Sequence, residues 1–191
     1  MSDLTITHAG ISVTPNSPGS SVSTGKRAVI RINPTISTSA YGASQAVFNS
    51  TEIPNAVRGE GGCSKLISVS WRVETSSGVN GGDMNLIFSQ KLQANLCDSL
   101  SENVDITIDE VKDSNFLGFI HIDNSDNYDI LNGTNVGTIG YSSLTSTSGT
   151  NGVFLQAEAG STSAYVSGIN GGGTWTAQAT DGLELIFNIE Y

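Results

Sequence analysis

The chain has little of what enzymes, metal proteins and nucleic-acid binders are built from. Among 191 residues there are two histidines, two cysteines and eight lysines plus arginines, and charged residues make up 14% of the total. Cys63 and Cys97 stand far apart with no paired spacing and no histidine cluster near either, so a zinc site would lack ligands. Free buried thiols are the expectation for both, a disulfide or a reactive nucleophile being the alternatives. The bases are also unevenly placed. Residues 1–112 hold all eight of them against ten acids, and residues 113–191 hold eight acids and no base, which divides the formal charge of −10 into −2 and −8. A phosphate backbone would repel this balance, because nucleic-acid affinity comes from Lys and Arg displacing counterions. No apolar stretch is long enough to cross a bilayer as a helix, and Met1-Ser2-Asp3-Leu4 lacks the basic and apolar regions of a signal peptide. The expectation is a soluble protein made in the cytoplasm, with neither nucleic acid nor membrane as a partner.

What the chain does have is Ser and Thr, 45 in all, and 22 glycines. Short runs of alternating apolar residues bounded by glycine turns read as antiparallel strands, because successive side chains point to opposite faces. Val153 to Ala159, Ala164 to Ile169 and Leu183 to Tyr191 are three such runs, so the chain is expected to end inside its own sheet. Lys26 to Ile32 places Ala28, Ile30 and Ile32 on one face and Arg27, Val29 and Arg31 on the other. Ala46-Val47-Phe48 is a brief strand candidate. Lys65 to Glu74 places Ile67, Val69, Trp71 and Val73 together, and Asp83 to Ser89 is its expected hairpin partner across the turn Ser76 to Gly82. Shorter pieces follow at Phe119 to Ile122, Tyr128 to Leu131 and Val136 to Ile139. One stretch changes period. Thr107 is placed to cap a helix, Glu110 stands three residues on as a capping box requires, and Gly118 is placed to stop it, predicting one short helix over Thr107 to Leu117.

About eight strands with polar turns predict an all-β fold, an antiparallel β-sandwich of jelly-roll type with one short helix and an extended N-terminal arm. The expected division is an arm over residues 1–23 and a sandwich over residues 24–191. The arm is polar and turn-rich, with Leu4, Ile6, Ile11, Val13 and Val22 as its larger apolar residues. It has too little apolar surface for a core of its own, so Leu4, Ile6, Ile11 and Val13 are the candidate partner contacts.

The search for chemistry is mostly negative. His8 lies in the arm, and His121 alternates with Ile120 and Ile122 and so faces away from them, as an ordinary strand residue does. No Gly-x-Ser-x-Gly elbow occurs, and the glycine runs Gly59 to Gly62 and Gly171 to Gly173 lack the helix and lysine of a phosphate loop. Asp123 to Asp129 places oxygen side chains at alternate positions as a calcium loop does, but Tyr128 stands where glycine is needed and Thr134 where a bidentate Glu is needed; a solvated turn is the reading. Trp71 shares a face with Val69 and Val73 and reads as core. Trp175, beside three glycines, reads as the more exposed of the two and as the residue on which a sugar would stack. No catalytic residue, cofactor or metal is assigned.

The segment Ile106 to Ile120, the following Ile122-Asp123 with Tyr128-Asp129, and the ending Ala164 to Ile169 with Leu183-Glu184-Leu185 resemble small virion proteins of tailed bacteriophages. The resemblance covers about the C-terminal half. It implies a capsid decoration (cement) protein with a jelly-roll-like core, a trimer set on the outer shell of the virion, with the major capsid protein as its partner and no enzymatic activity. A tail or fibre component is the alternative within the class. A carbohydrate-binding module, with Trp175 exposed in a groove, and a small hydrolase, with His121 beside an acid and a Ser or Cys, are the alternatives outside it.

Overall fold

Alternation becomes strand wherever one face finds a core. The computed structural model describes residues 6–8, 11–13, 26–75, 83–97, 99–105, 107–122, 128–131, 134–140 and 153–191, with 6–8, 11–13, 128–131 and 134–140 as backbone alone. In chain order the strands are β1 (Ile6–His8), β2 (Ile11–Val13), β3 (Arg27–Ile32), β4 (Ala40–Tyr41), β5 (Ala46–Ile53), β6 (Cys63–Glu74), β7 (Met84–Ser89), β8 (Phe116–Ile122), β9 (Tyr128–Leu131), β10 (Thr134–Gly140), β11 (Phe154–Gln156), β12 (Ala164–Asn170), β13 (Trp175–Thr176) and β14 (Leu183–Glu190). A single helix, α1 (Ile108–Asp113), lies between β7 and β8 among the described residues.

The pairing is nested. β3 pairs with β14, β5 with β12, β6 with β10 and β7 with β8, every pair antiparallel, as if one long hairpin had been laid out with β7 and β8 at its tip. Curling that hairpin sends alternate pairs to opposite sheets. One sheet runs β3-β14-β6-β10-β9, with β11 also on β6, and the other runs β5-β12-β7-β8. This is the jelly-roll arrangement of two packed antiparallel sheets. The turn drawn between β6 and β7 at the sequence level lies outside the described residues, and the hairpin itself is corrected. The two strands sit in opposite sheets, with β14 and β10 beside β6 and β12 and β8 beside β7. Alternation tells which face of a strand is apolar, and both strands do turn an apolar face inward, but from opposite sides of the same core.

That core holds Leu66, Val69, Trp71 and Val73 of β6 with Leu183, Leu185, Phe187 and Ile189 of β14, facing Met84, Leu86 and Phe88 of β7 and Ala164 and Val166 of β12. The inward face of β6 includes Leu66 and leaves Ile67 half-buried, which differs from the regular alternation expected from Ile67 to Val73. The cause is a register shift against β14. Asn188 stands opposite Ser68 but Ile189 stands opposite Leu66, so Ile67 is the extra residue of a bulge and the alternation changes phase there. Phe88 and Phe187 meet edge to face across the sandwich, ring centroids 6.1 Å apart at 82°.

The helix keeps its start and loses its expected end. The Glu110 amide donates to Thr107 Oγ1 at 3.3 Å, and the Thr107 amide donates to Glu110 Oε2 at 2.7 Å. The Thr107 amide and then the Thr107 hydroxyl, both donating to Glu110 Oε2, hold the Glu110 carboxyl below its usual range. The helix stops at Asp113 and Ser114 caps it. Asn115, not Gly118, supplies the left-handed residue at φ 53°, a conformation that Asn tolerates better than most. Gly118 lies within β8. None of the helix side chains is buried, so capping and local charge hold it with little help from packing.

One close approach fixes the distance between β5 and β12. Gly168 faces the Phe48 ring so tightly that an added β-carbon would stand 2.2 Å from Phe48 Cε1. Gly168→Ala is therefore expected to destabilise the fold by about 1–3 kcal/mol through overpacking. Combined with Phe48→Leu, the alanine should cost less than it does alone, with a coupling on the order of 1 kcal/mol in a double-mutant cycle read by urea denaturation. Additive costs would show that the ring is not what the β-carbon meets.

Candidate functional site

Two neighbouring surfaces carry the polar and apolar groups that the core does not use. The first is an end of the sandwich where the start of β7, the end of β8 and the loop after β12 meet. Asn85 and His121 are register partners on the outer face of β7 and β8. His121 Nδ1 lies 2.9 Å from Asn85 Oδ1, and Nε2 lies 3.7 Å from Asp83 Oδ1. With Nδ1 donating to the amide oxygen, the neutral imidazole turns a lone pair toward the carboxylate, and Asp83 Oδ1 is buried without a hydrogen-bond partner. A protonated His121 directs a donor at that oxygen. The carboxylate also explains two glycines, because β-carbons at positions 171 and 172 would stand 2.5 Å from Asp83 Oδ1 and 2.7 Å from Oδ2. The run Gly171 to Gly173 is thus a turn, shaped to let an acid lie against it. Among the described residues no group of three or more His, Cys, Asp and Glu side chains is placed to hold a metal. Of the calcium-like stretch Asp123 to Asp129, residues 123–127 lie outside the described residues and Tyr128 and Asp129 begin β9.

Beside this end, Asn170 ties three segments together. Its Nδ2 donates to Gly42 O at 2.8 Å and to Gly173 O at 3.0 Å, and its Oδ1 accepts from Trp175 Nε1 at 3.1 Å. Trp175 is buried at 3% exposure and stacks at 4.6 Å on Tyr41, its neighbour across the β4–β13 pair. The exposed, sugar-stacking Trp175 expected from its glycine neighbours is therefore corrected. The glycines fold the loop back so that the indole enters the core with its N–H satisfied, and Trp71 is buried as expected. Tyr41 donates to Val47 O at 3.3 Å and accepts from the Ser37 amide, and burial, against the pull of that amide, pushes its phenol up to about 12.

The second surface is the outer face of β7 and β8. Ile120 and Ile122 point inward and His121 outward, as the alternation required, but Phe116 and Phe119 also point outward, 47% and 54% exposed. Phe119 stands opposite the half-buried Ile87, and Phe116 opposite Ser89. The sequence held a sign of this: in Phe116-Leu117-Gly118-Phe119-Ile120-His121-Ile122, Phe119 is out of phase with the two isoleucines that enter the core, so the strand is apolar on both faces.

Of the candidate contact residues of the arm, Leu4 lies outside the described residues. Ile6 of β1 is the register partner of Val13 of β2, and Ile11 is the partner of His8, so the structure brings these three onto one two-stranded ribbon. Neither strand joins the sheets of the sandwich. Both cysteines are free, but only Cys97 is buried, and the burial expected of Cys63 is corrected. The β6 alternation sends Cys63 to the outer face opposite Gln156. Burial, then the Glu102 and Asp105 carboxylates, push the Cys97 thiol up, away from the thiolate a nucleophile needs. No helix among the described residues is long and apolar enough to cross a membrane. The chain matches no protein-family model and no curated protein.

Two outcomes follow from this geometry. Asn170→Ala leaves the Trp175 N–H and two loop carbonyls without their partner and is expected to cost about 2–4 kcal/mol, measured by urea denaturation; a loss under about 0.5 kcal/mol would mean that water replaces the amide. The second concerns alkaline pH. The fold holds the Tyr41 phenol neutral up to about 12, whereas the unfolded chain ionises it near 10. Its contribution is thus complete below pH 10 and lost as the pH climbs toward 12. Tyr41→Phe should lower stability at pH 7 by about 1 kcal/mol yet flatten the fall between pH 10 and 12. An unchanged alkaline slope would assign that fall to other groups.

Proposed function

We propose that this chain is a non-enzymatic structural protein of a tailed-phage particle, a head decoration (cement) protein that binds the outer shell, bridges major capsid subunits and works as a homotrimer. The observation that carries the reading is the nested pairing of β3·β14, β5·β12, β6·β10 and β7·β8 around an interior filled by aliphatic and aromatic side chains. Jelly rolls of this kind serve as capsid domains and as lectins. Between those uses, the burial of Trp175 removes the feature that favoured sugar binding, and among the described residues the polar contacts of His121 are Asn85 and Asp83 rather than the Ser or Cys that a small hydrolase needs. The resemblance of the middle segment and the ending to small virion proteins supports the same choice.

The arm fits the role of an attachment device. A ribbon of three residue pairs is marginal by itself in water and gains from a surface to lie on. Ile6, Ile11 and Val13, with Leu4 before them, are the apolar groups with which it would fill grooves in a shell. A clamp that binds only the expanded lattice stabilises that lattice by mass action, and many equivalent weak contacts add as avidity.

The test is co-sedimentation of the purified protein with expanded phage heads. Full-length protein is expected to pellet with heads, His121→Ala to do so equally, and a form lacking residues 1–13 to stay in the supernatant while keeping its far-ultraviolet circular dichroism. Full-length protein that never pellets with heads would sink the reading, and a truncated form that decorates with unchanged occupancy under competition would sink the role of the arm.

A further inference from the structure

Sheet edges expose unpaired backbone groups, and natural proteins guard them with charged side chains, covering segments, bulges or prolines. Two edges of this sandwich are guarded in such ways. β3 presents Arg27 and Arg31 on its outer face, both in ion pairs with β14. The start of β5 is covered by the segment around Glu102, whose carbonyl accepts from the Ala46 amide while the Ser101 amide donates to the Ala46 carbonyl. β8 differs. Among the described residues it pairs with β7 alone and ends its sheet. Its seven residues include no proline and no Lys, Arg, Asp or Glu, and its bulge lies at the Phe116 end. Val153, just before β11, packs on Gly118, which leaves Phe119–Ile122 as the regular stretch that no other described segment covers, with Phe119 standing out from it.

The charges at its two ends narrow the occupant. Toward the start of β8 lie the exposed Asp109, Glu110 and Asp113 of α1, of which only Asp109 is paired to a base, Lys112 at 3.3 Å. Toward its other end Asp83 precedes Met84, the register partner of Ile122. The nearest lysine on the neighbouring segment, Lys91, is already paired with Glu158 at 3.3 Å. A second copy would bring the same acids and a further −10 to this edge, and two such strands meeting antiparallel would set acid against acid. We infer that Phe119–Ile122 is a docking edge for an extended segment of another protein, added to the sheet as a further antiparallel strand, with apolar residues at alternate positions and Lys or Arg at its ends. The backbone ladder supplies affinity, Phe119 and Ile87 give the alternate side chains an apolar seat, and the exposed acids of α1, with the half-buried Asp83 toward the other end, select the charge of the partner. This edge is separate from the arm, and the inference stands without the virion reading.

The probes are two synthetic peptides of alternating valine and threonine, one ending in lysine pairs and one in glutamate pairs, titrated into the isotopically labelled full chain. Expected is binding of the lysine-ended peptide that weakens as salt is added, about tenfold tighter than that of the glutamate-ended one, with new protection from hydrogen exchange confined to the β8 amides. Phe119→Lys, an exposed position that the fold does not need, should weaken that binding about tenfold while leaving the exchange protection of β6 and β14 intact. Equal binding of the two peptides, protection away from β8, or no binding would overturn the proposal. So would concentration-dependent dimerisation of the free protein abolished by Phe119→Lys, which would give the edge to a second copy.

Discussion

The register of β14 is the constraint on which the rest of the molecule depends. This strand lies between β3 and β6, and its eight residues alternate between buried and half-buried without a break. A slip of one residue against either neighbour would carry Leu183, Leu185, Phe187 and Ile189 to the outer face and draw Glu184, Ile186, Asn188 and Glu190 into the core. The outer face enforces the same register independently. In the observed alignment Glu190 stands opposite Arg27 of β3, and Glu184 lies 3.1 Å from Arg31 and 4.0 Å from Arg72. Such exposed pairs add little stability each, but a slipped register would break all of them at once. Apolar and charged patterns thus agree on one alignment. Since β14 joins residues far apart in sequence, the sheet has to wait for long-range loop closure, a source of slow folding.

The same strand explains how a chain with its bases in one part and an acidic excess in the other can fold on itself. By sequence, residues 113–191 form a block of eight acids without a base. Folding breaks up the block: Glu184 and Glu190 are set among Arg27, Arg31 and Arg72, and Glu158 meets Lys91. These three residues are interleaved with the bases rather than segregated from them. What repulsion remains belongs to acids without a base beside them, Asp113 and Asp181 among the described ones, and to the net charge of the whole.

Local chemistry was legible in the sequence and partnership was not. The capping box of Thr107 and Glu110, the inward face of β14 and the outward turn of His121 rest on spacings of two to four residues, which the backbone imposes directly. The pairing of β6 could not be read that way, because its partners β14 and β10 lie far down the chain and the nearest strand in sequence, β7, faces it across the core. The bulge at Ile67 was hidden for a related reason, since a change of phase needs a partner strand to define it. Trp175 was misjudged because glycine neighbours report a turn but not where the turn leads; its burial depends on Asn170, whose amide groups meet Gly42, Gly173 and the indole only in three dimensions. The nested order of strands nevertheless matches the jelly roll that the count and the polar turns favoured.

With the interior filled by its own side chains, what the chain does to other molecules falls to its outside, and the outside is uneven. The outer face of β6 and β14 carries paired charges that satisfy one another, which makes it a face that keeps water rather than a partner. β8 breaks the pattern by being apolar on both sides, and the inner set of Ile120 and Ile122 is all that the core needs. Phe119 contributes nothing to that core at 54% exposure and raises the tendency of the strand to pair with others. A residue of this kind on an unguarded edge costs solubility unless something covers it, and a strong net negative charge lowers the cost by opposing contact between two such edges. The acidity of the chain and the bareness of this edge therefore belong together: the acids that set one such edge against another are also what admits a basic strand.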